Sequence, residues 1–166
     1  MTNQTLKIAG LVLLALELVQ CERAKSLIKP KPAIPTPYDY TLNLEFTPAA
    51  AAKLAAKHDS IVVANYYYGR ATPSAMPKAD DLHRIELGYS QIAYGETARR
   101  PHIISDKIDK SRFPEIIDQE PYVLITVFSA APAGNPDEMI DCQSYTGSIK
   151  FLQTKPYTLT CDVFRN

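Results

Sequence analysis

Leu42, Leu44 and Phe46 occupy every second position of YTLNLEFT, with Thr41, Asn43 and Glu45 between them. Period-two alternation sends one set of side chains to a core and the other to solvent, so this stretch predicts a half-buried strand. Thr47-Pro48 then joins an N-cap residue to a proline suited to the first helical position, and AAAAKLAAKHD continues with high helix propensity. A short Ala-rich helix is expected at about 48–58, able to lie close to a sheet while burying little area. Residues 60–69, SIVVANYYYG, are β-branched and aromatic and apolar on both faces, the pattern of a central strand.

The rest of the chain repeats these signals in shorter pieces. Residues 70–81 carry two prolines and no period, and read as a loop. Residues 83–87 alternate through Ile85, and 91–94 resume after Gly88, which predicts a hairpin-like pair or one bulged strand. A short strand is expected at 102–105, the clearest strand at 122–130 (YVLITVFSA), and a turn cluster at 132–137 (PAGNPD). Residues 141–153 fit a strand or a short helix carrying Ile149, Phe151 and Leu152. At 157–164 Tyr157, Leu159, Cys161 and Val163 share one face of a final strand. Six or seven short strands, one Ala-rich helix and no βαβ rhythm predict a small antiparallel β-sandwich over residues 38–166, of immunoglobulin-like or transthyretin-like type.

Ahead of this domain the pattern changes. Lys7 forms a minimal positive region, and Ile8 to Leu16 form an apolar run too short to span a bilayer, the layout of a secretory signal. Leu18-Val19-Gln20-Cys21 follows, and it resembles the lipobox of bacterial lipoproteins, in which a Leu stands three residues before an obligatory Cys. Gln20, where a small residue is usual, and Glu17 depart from that pattern. The resemblance implies a signal peptide at 1–20, acylation of Cys21 with chains such as palmitate, and a lipid bilayer as first partner. It places the chain in the bacterial cell envelope, with the outer membrane facing the periplasm favoured because Glu22 is not the Asp that commonly signals inner-membrane retention. Ala24-Lys25-Ser26 also fits ordinary secretion with cleavage after Ser26, and a buried N-terminal helix is a third reading. Residues 22–37 hold Pro30, Pro32, Pro35 and Pro37 with Lys25, Lys29 and Lys31, so 21–37 reads as an acylated Cys followed by a semi-rigid tether.

Cysteine arithmetic bears on the same choice. Of Cys21, Cys142 and Cys161, lipidation would take the first and leave the other two as a pair in an oxidising periplasm. Cys161 lies on the inward face of the last strand, which suits a bridge; two reduced core cysteines are the competing reading.

Composition narrows the function classes. Hydrophobic residues at 46% and charged residues at 22% argue against disorder, and 18 Lys+Arg against 18 Asp+Glu leave no overall field to hold a nucleic acid. There is no GxSxG, HExxH or CxxC motif and, with six glycines, no phosphate-cradling loop. His58, His83 and His102 do not share a face by spacing, and Asp80-Asp81 and Asp137-Glu138 with Asp141 read as solvated loop acids, so no catalytic residue, cofactor or metal is expected.

Two features have more content. Ten of the chain's aromatics are Tyr and none is Trp, and Tyr66-Tyr67-Tyr68 must put rings on both faces of its strand. Arg99, Arg100, Lys107, Lys110 and Arg112 adjoin Glu115, Asp118 and Glu120, a pattern that steers a partner or pairs within itself. Partner-binding residues are expected among Tyr66, Tyr68, Tyr89, Tyr94, Arg99 and Arg100. The function these readings favour is a non-enzymatic, membrane-anchored protein-binding module. It would be an accessory subunit of an envelope or secretion machine, or an immunity or inhibitor protein. The competitor is an enzyme or small-ligand carrier with a site in the loops at 70–81, 95–112 and 131–141.

Overall fold

A computed structural model describes residues 35–130 and 139–164. The signal peptide, Cys21, most of the tether and the turn cluster at 132–137 lie outside the described residues. In chain order the elements are β1 (Tyr40–Phe46), α1 (Pro48–Lys57), β2 (Ile61–Arg70), β3 (Arg84–Tyr94), β4 (His102–Ile103), β5 (Tyr122–Ser129), β6 (Ile140–Cys142), β7 (Tyr145–Ser148), α2 (Ile149–Thr154) and β8 (Tyr157–Val163). All the strands belong to one sheet in the order β3-β2-β5-β6-β8-β1-β4, with β7 beside the first half of β5.

The expected β-sandwich is therefore corrected. The chain is mainly β and carries the Ala-rich helix, but it forms a single curled open sheet, a half-barrel, rather than two stacked sheets. Alternation marks which side chains face a core; it does not say whether the opposite wall is a second sheet or the same sheet bent round. Here the sheet bends until a side chain of one edge strand reaches the other edge, the Tyr94 hydroxyl on β3 donating to the His102 carbonyl on β4 at 2.8 Å. One pairing is parallel, β1 with β8 from Leu42↔Tyr157 to Phe46↔Cys161, so the sheet is not wholly antiparallel either. The last strand lies between β6 and β1, not at an edge.

Local chemistry explains the pieces. The Thr47 hydroxyl accepts from the Ala50 N–H at 3.3 Å, Pro48 opens α1, and His58 closes it in the left-handed region. Ala50 and Leu54 of α1 and Ile149 and Leu152 of α2 join the strand side chains in one core. Between 83 and 94 the bulged alternative holds: β3 is one strand whose register slips opposite Tyr67/Tyr68, with Gly88 at φ +139°. The Lys107 carbonyl packs where a Cβ on Gly88 would project, and the Asp109 N–H bonds the Leu87 carbonyl at 2.7 Å, so residues 104–116 lie close against this strand.

The core contains a hydrogen-bonded chain of polar groups. The Tyr40 hydroxyl donates to Asn65 Oδ1 (2.8 Å) and Asn65 Nδ2 donates to Ser90 Oγ (3.0 Å). The Tyr67 hydroxyl lies 3.3 Å from Ser90 Oγ and donates to Ser105 Oγ at 3.3 Å. All five residues are buried, and they join β1, β2, β3 and the 104–116 segment across the inside of the half-barrel.

Cys142 and Cys161 form a disulfide between β6 and β8. The Gln143 N–H to Thr160 carbonyl and Phe164 N–H to Met139 carbonyl bonds flank them, so the two cysteines are a non-hydrogen-bonded cross-strand pair, Cα to Cα 3.9 Å.

Candidate aromatic docking face

Strand alternation divides the three consecutive tyrosines of β2. Tyr67 points into the core and is 0% exposed, while Tyr66 and Tyr68 stand on the outer side of the sheet. Register then fixes their neighbours. Tyr66 lies between Tyr89 of β3 and Leu124 of β5, and Tyr68 lies between Glu86 and Tyr122. The next outer position of β2, Arg70, faces Arg84 of β3.

The rings and guanidinium groups form a connected layer. Tyr66 and Tyr68 stack with centroids 6.0 Å apart, and Tyr68 stacks on Tyr122 at 5.8 Å. Arg84 lies over Tyr66 and Tyr68, 5.6 and 5.2 Å from their centroids, and Arg70 lies over Tyr122 at 5.6 Å. Asp80 fixes Arg84 through a 2.8 Å bond to Nε and also accepts the backbone N–H groups of Leu82 and Arg84. The Arg84 backbone bond is the main reason its carboxyl sits below the ordinary aspartate range. Burial, then the Glu86 carboxylate, push the Tyr66 phenol above its usual value, so it stays a neutral donor at physiological pH.

Both helices pack elsewhere, α1 against β1 and β8 and α2 against β1 and β7. The outer side of β3-β2-β5 thus carries a half-buried Tyr66, Tyr122, Leu124 and Phe128 beside Tyr89, which is 53% exposed. Aromatic and arginine side chains held in place by neighbours, with little further freedom to lose, are the composition of binding hot spots.

The residues singled out from the sequence divide into two groups. Tyr66, Tyr68 and Tyr89 are brought together on this face. Tyr94 is not: an odd spacing from Tyr89 turns it to the inner side, where burial, with Tyr67 beside it, pushes its phenol up to about 12. Arg99 packs over the Phe46 ring at 4.4 Å and donates to the Glu96 and Ala98 carbonyls, and its own carbonyl accepts the Leu44 N–H of β1. Arg100, which follows it, is exposed. Sequence reasoning missed Arg70, which shares the parity of Tyr66 and Tyr68 but falls where a loop is expected, and Arg84 and Tyr122, whose membership depends on the β2–β3 and β2–β5 registers. The neighbouring basic and acidic runs pair with each other at least in part, since Glu115 holds both Lys78 (2.6 Å) and Arg112 (3.0 Å).

Two further places bring polar groups together. A cleft of about 270 Å³ is lined by Asp39, Thr41, His102 and Lys155 among others. Thr41 Oγ1 is 3.2 Å from His102 Nδ1, but the Asp39 carboxylate lies 3.9 Å from Nε2, outside hydrogen-bond reach. Its oxygens already accept the Thr36 hydroxyl and N–H and the Ser105 N–H. Burial opposes ionisation of Asp39, yet these bonds, with the Thr36 hydroxyl foremost, hold its carboxyl below the ordinary range. That geometry clasps the 36–39 turn to Ser105 rather than relaying a proton to Thr41. On β6 and β8 Asp141 and Asp162 face each other beside a cleft of about 410 Å³, and Asp162 accepts the Thr47 hydroxyl at 2.6 Å. Among the described residues no three His, Cys, Asp or Glu side chains converge as metal ligands would.

The chain matches no protein-family model, no curated protein and no solved structure.

Proposed function

We propose that this chain is a non-enzymatic protein-binding module that docks its partner on the outer face of β3-β2-β5. Acylated Cys21 and the proline-rich stretch after it would hold the module at a bacterial envelope membrane. The observation that carries the docking reading is the stacked Tyr66-Tyr68-Tyr122 layer, capped by arginines, on the side of the sheet away from both helices. Large rigid side chains with polar tips bury area on association at low entropic cost. Residues 21–37 add a reason for such a face to be presented at a distance from a surface: their four prolines favour extended conformations.

Site-specific photo-crosslinking in cells tests this. A benzophenone residue at Tyr89 or Tyr122 of the full chain is expected to give one adduct of defined mass, lost in a Tyr66→Ala background. The same residue at exposed Ala56 of α1 gives none. Cys21→Ser should release the chain from the membrane fraction. An identical adduct from Ala56, or no adduct from the tyrosine positions, overturns the docking reading. Membrane retention of Cys21→Ser overturns the anchor.

A further inference from the structure

The end of the docking face holds a pairing that costs stability. Arg70 and Arg84 are direct cross-strand partners on the same side of the sheet, and like charges placed so repel. Asp80 neutralises Arg84 at 2.8 Å. Arg70 is exposed, and among the described residues its one side-chain interaction is with the Tyr122 ring, 5.6 Å from the centroid. A guanidinium presents a planar fork of donors suited to a carboxylate, and stacking on a ring fixes the plane without consuming those donors. Glu86, the other acid on this face, faces Tyr68 across the strands instead.

We infer that Arg70 receives a carboxylate of the docked protein, with the half-buried Tyr122 ring, backed by the buried Tyr68, taking an apolar or aromatic side chain next to that carboxylate. The partner segment is therefore an acidic-aromatic one, Asp or Glu adjoining a large apolar residue. This rests on the docking face proposed above and assigns its chemistry. The charge balance of the corner favours an anion over a neutral group. Arg84 is paired with Asp80 and Glu86 lies opposite Tyr68, so Arg70 is the arginine of this corner with no acidic partner among the described residues, and an incoming carboxylate removes the Arg70–Arg84 repulsion as it binds.

The test uses the full chain carrying ¹³C-labelled tyrosine and two short probes, N-acetyl-Asp-Phe-amide and N-acetyl-Asn-Phe-amide. The aspartyl probe should shift the Tyr122 and Tyr68 ring resonances, identified with Tyr→Phe variants, and bind about tenfold more tightly than the asparaginyl probe. The preference should shrink with added salt and fall to under twofold in Arg70→Gln. Arg70→Lys, which keeps the charge but loses the planar fork, should retain part of it. Core tyrosine resonances report whether each variant is folded. Equal shifts from the two probes overturn the carboxylate assignment while leaving the docking face in place. An aspartyl preference that survives Arg70→Gln, or shifts confined to rings off this face, also overturns it; the crosslinking experiment decides the face itself independently.

Discussion

Breaking the Cys142–Cys161 bridge tests the fold at its narrowest point. β6 has three residues, and its contact with β5 is a single register pair, Phe128↔Asp141, supported by a 2.9 Å bond from the Ile140 N–H to Ser129 Oγ. On its other side β6 pairs with β8 through three positions, one of them the disulfide. The bridge closes a loop with sequence separation 19, for which the chain-entropy relation gives ~11 cal/mol/K, or about 3 kcal/mol at room temperature. A domain of this size loses about 4 °C of Tm per kcal/mol, so reduction should lower Tm by about 10 °C. Reduced wild-type chain is the cleaner comparison, because Cys142→Ala with Cys161→Ala also removes two sulfur atoms from the core and should cost more. Thermal unfolding followed by circular dichroism measures both, and hydrogen exchange locates the effect. The amides of β6 should lose protection first while those of β2, paired on both sides, keep theirs. Because both cysteines are buried, thiol reagents should modify the reduced native chain slowly. A Tm change under about 3 °C, or free thiols in the native chain before any reductant is added, would refute the reasoning.

Asn65→Ala should destabilise the fold by about 3 kcal/mol in urea titration, since it leaves the buried Tyr40 hydroxyl without its acceptor and opens a small cavity. Tyr40→Phe, which opens little cavity and keeps the Asn65–Ser90 bond while leaving Asn65 Oδ1 without its donor, should cost clearly less; equal losses would mean that the polar chain is not what is being measured. Asp39 predicts a pH dependence. Its folded-state carboxyl titrates below its unfolded value, so its contribution is complete above the ordinary aspartate pKa and is lost as pH falls through the depressed one. The wild type should therefore keep its advantage over Asp39→Asn from neutral pH down to the ordinary aspartate pKa and lose it as pH falls further, read as converging urea midpoints. A difference that stays constant below that pKa would count against the assignment.

The parts of the fold set by neighbours in sequence were legible, and those set by register were not. Thr47-Pro48 and the alanines specify α1 locally, and alternation picked out β1, β5 and β8. The inward Cys161 followed from the same period. Whether the sheet stacks or curls depends instead on Gly88, whose positive φ and contact with Lys107 help bend β3, and on the late pairing of β8 with β1. The same limit applies to the docking face. Tyr66 and Tyr68 share a side by parity, and parity alone also separates Tyr94 from Tyr89. Arg84 and Tyr122 enter only through cross-strand registers, one of them shifted by the bulge, so no spacing along the chain reveals them.

The parallel pairing of β1 with β8 also governs when the domain is able to fold. Leu42 finds Tyr157, and Phe46 finds Cys161, across almost the whole described chain. The other side of β1 pairs with β4 at two positions, and the Pro101 and Arg99 carbonyls beyond it accept the Leu42 and Leu44 N–H groups. Until β8 has been made, β1 therefore has a partner on one side only, and contacts of such long range form slowly. A chain emerging from the ribosome holds the β8 side of β1 open through synthesis of the remainder. Under the envelope location proposed above, that delay would let the chain cross a membrane as an unfolded thread and close its sheet afterwards.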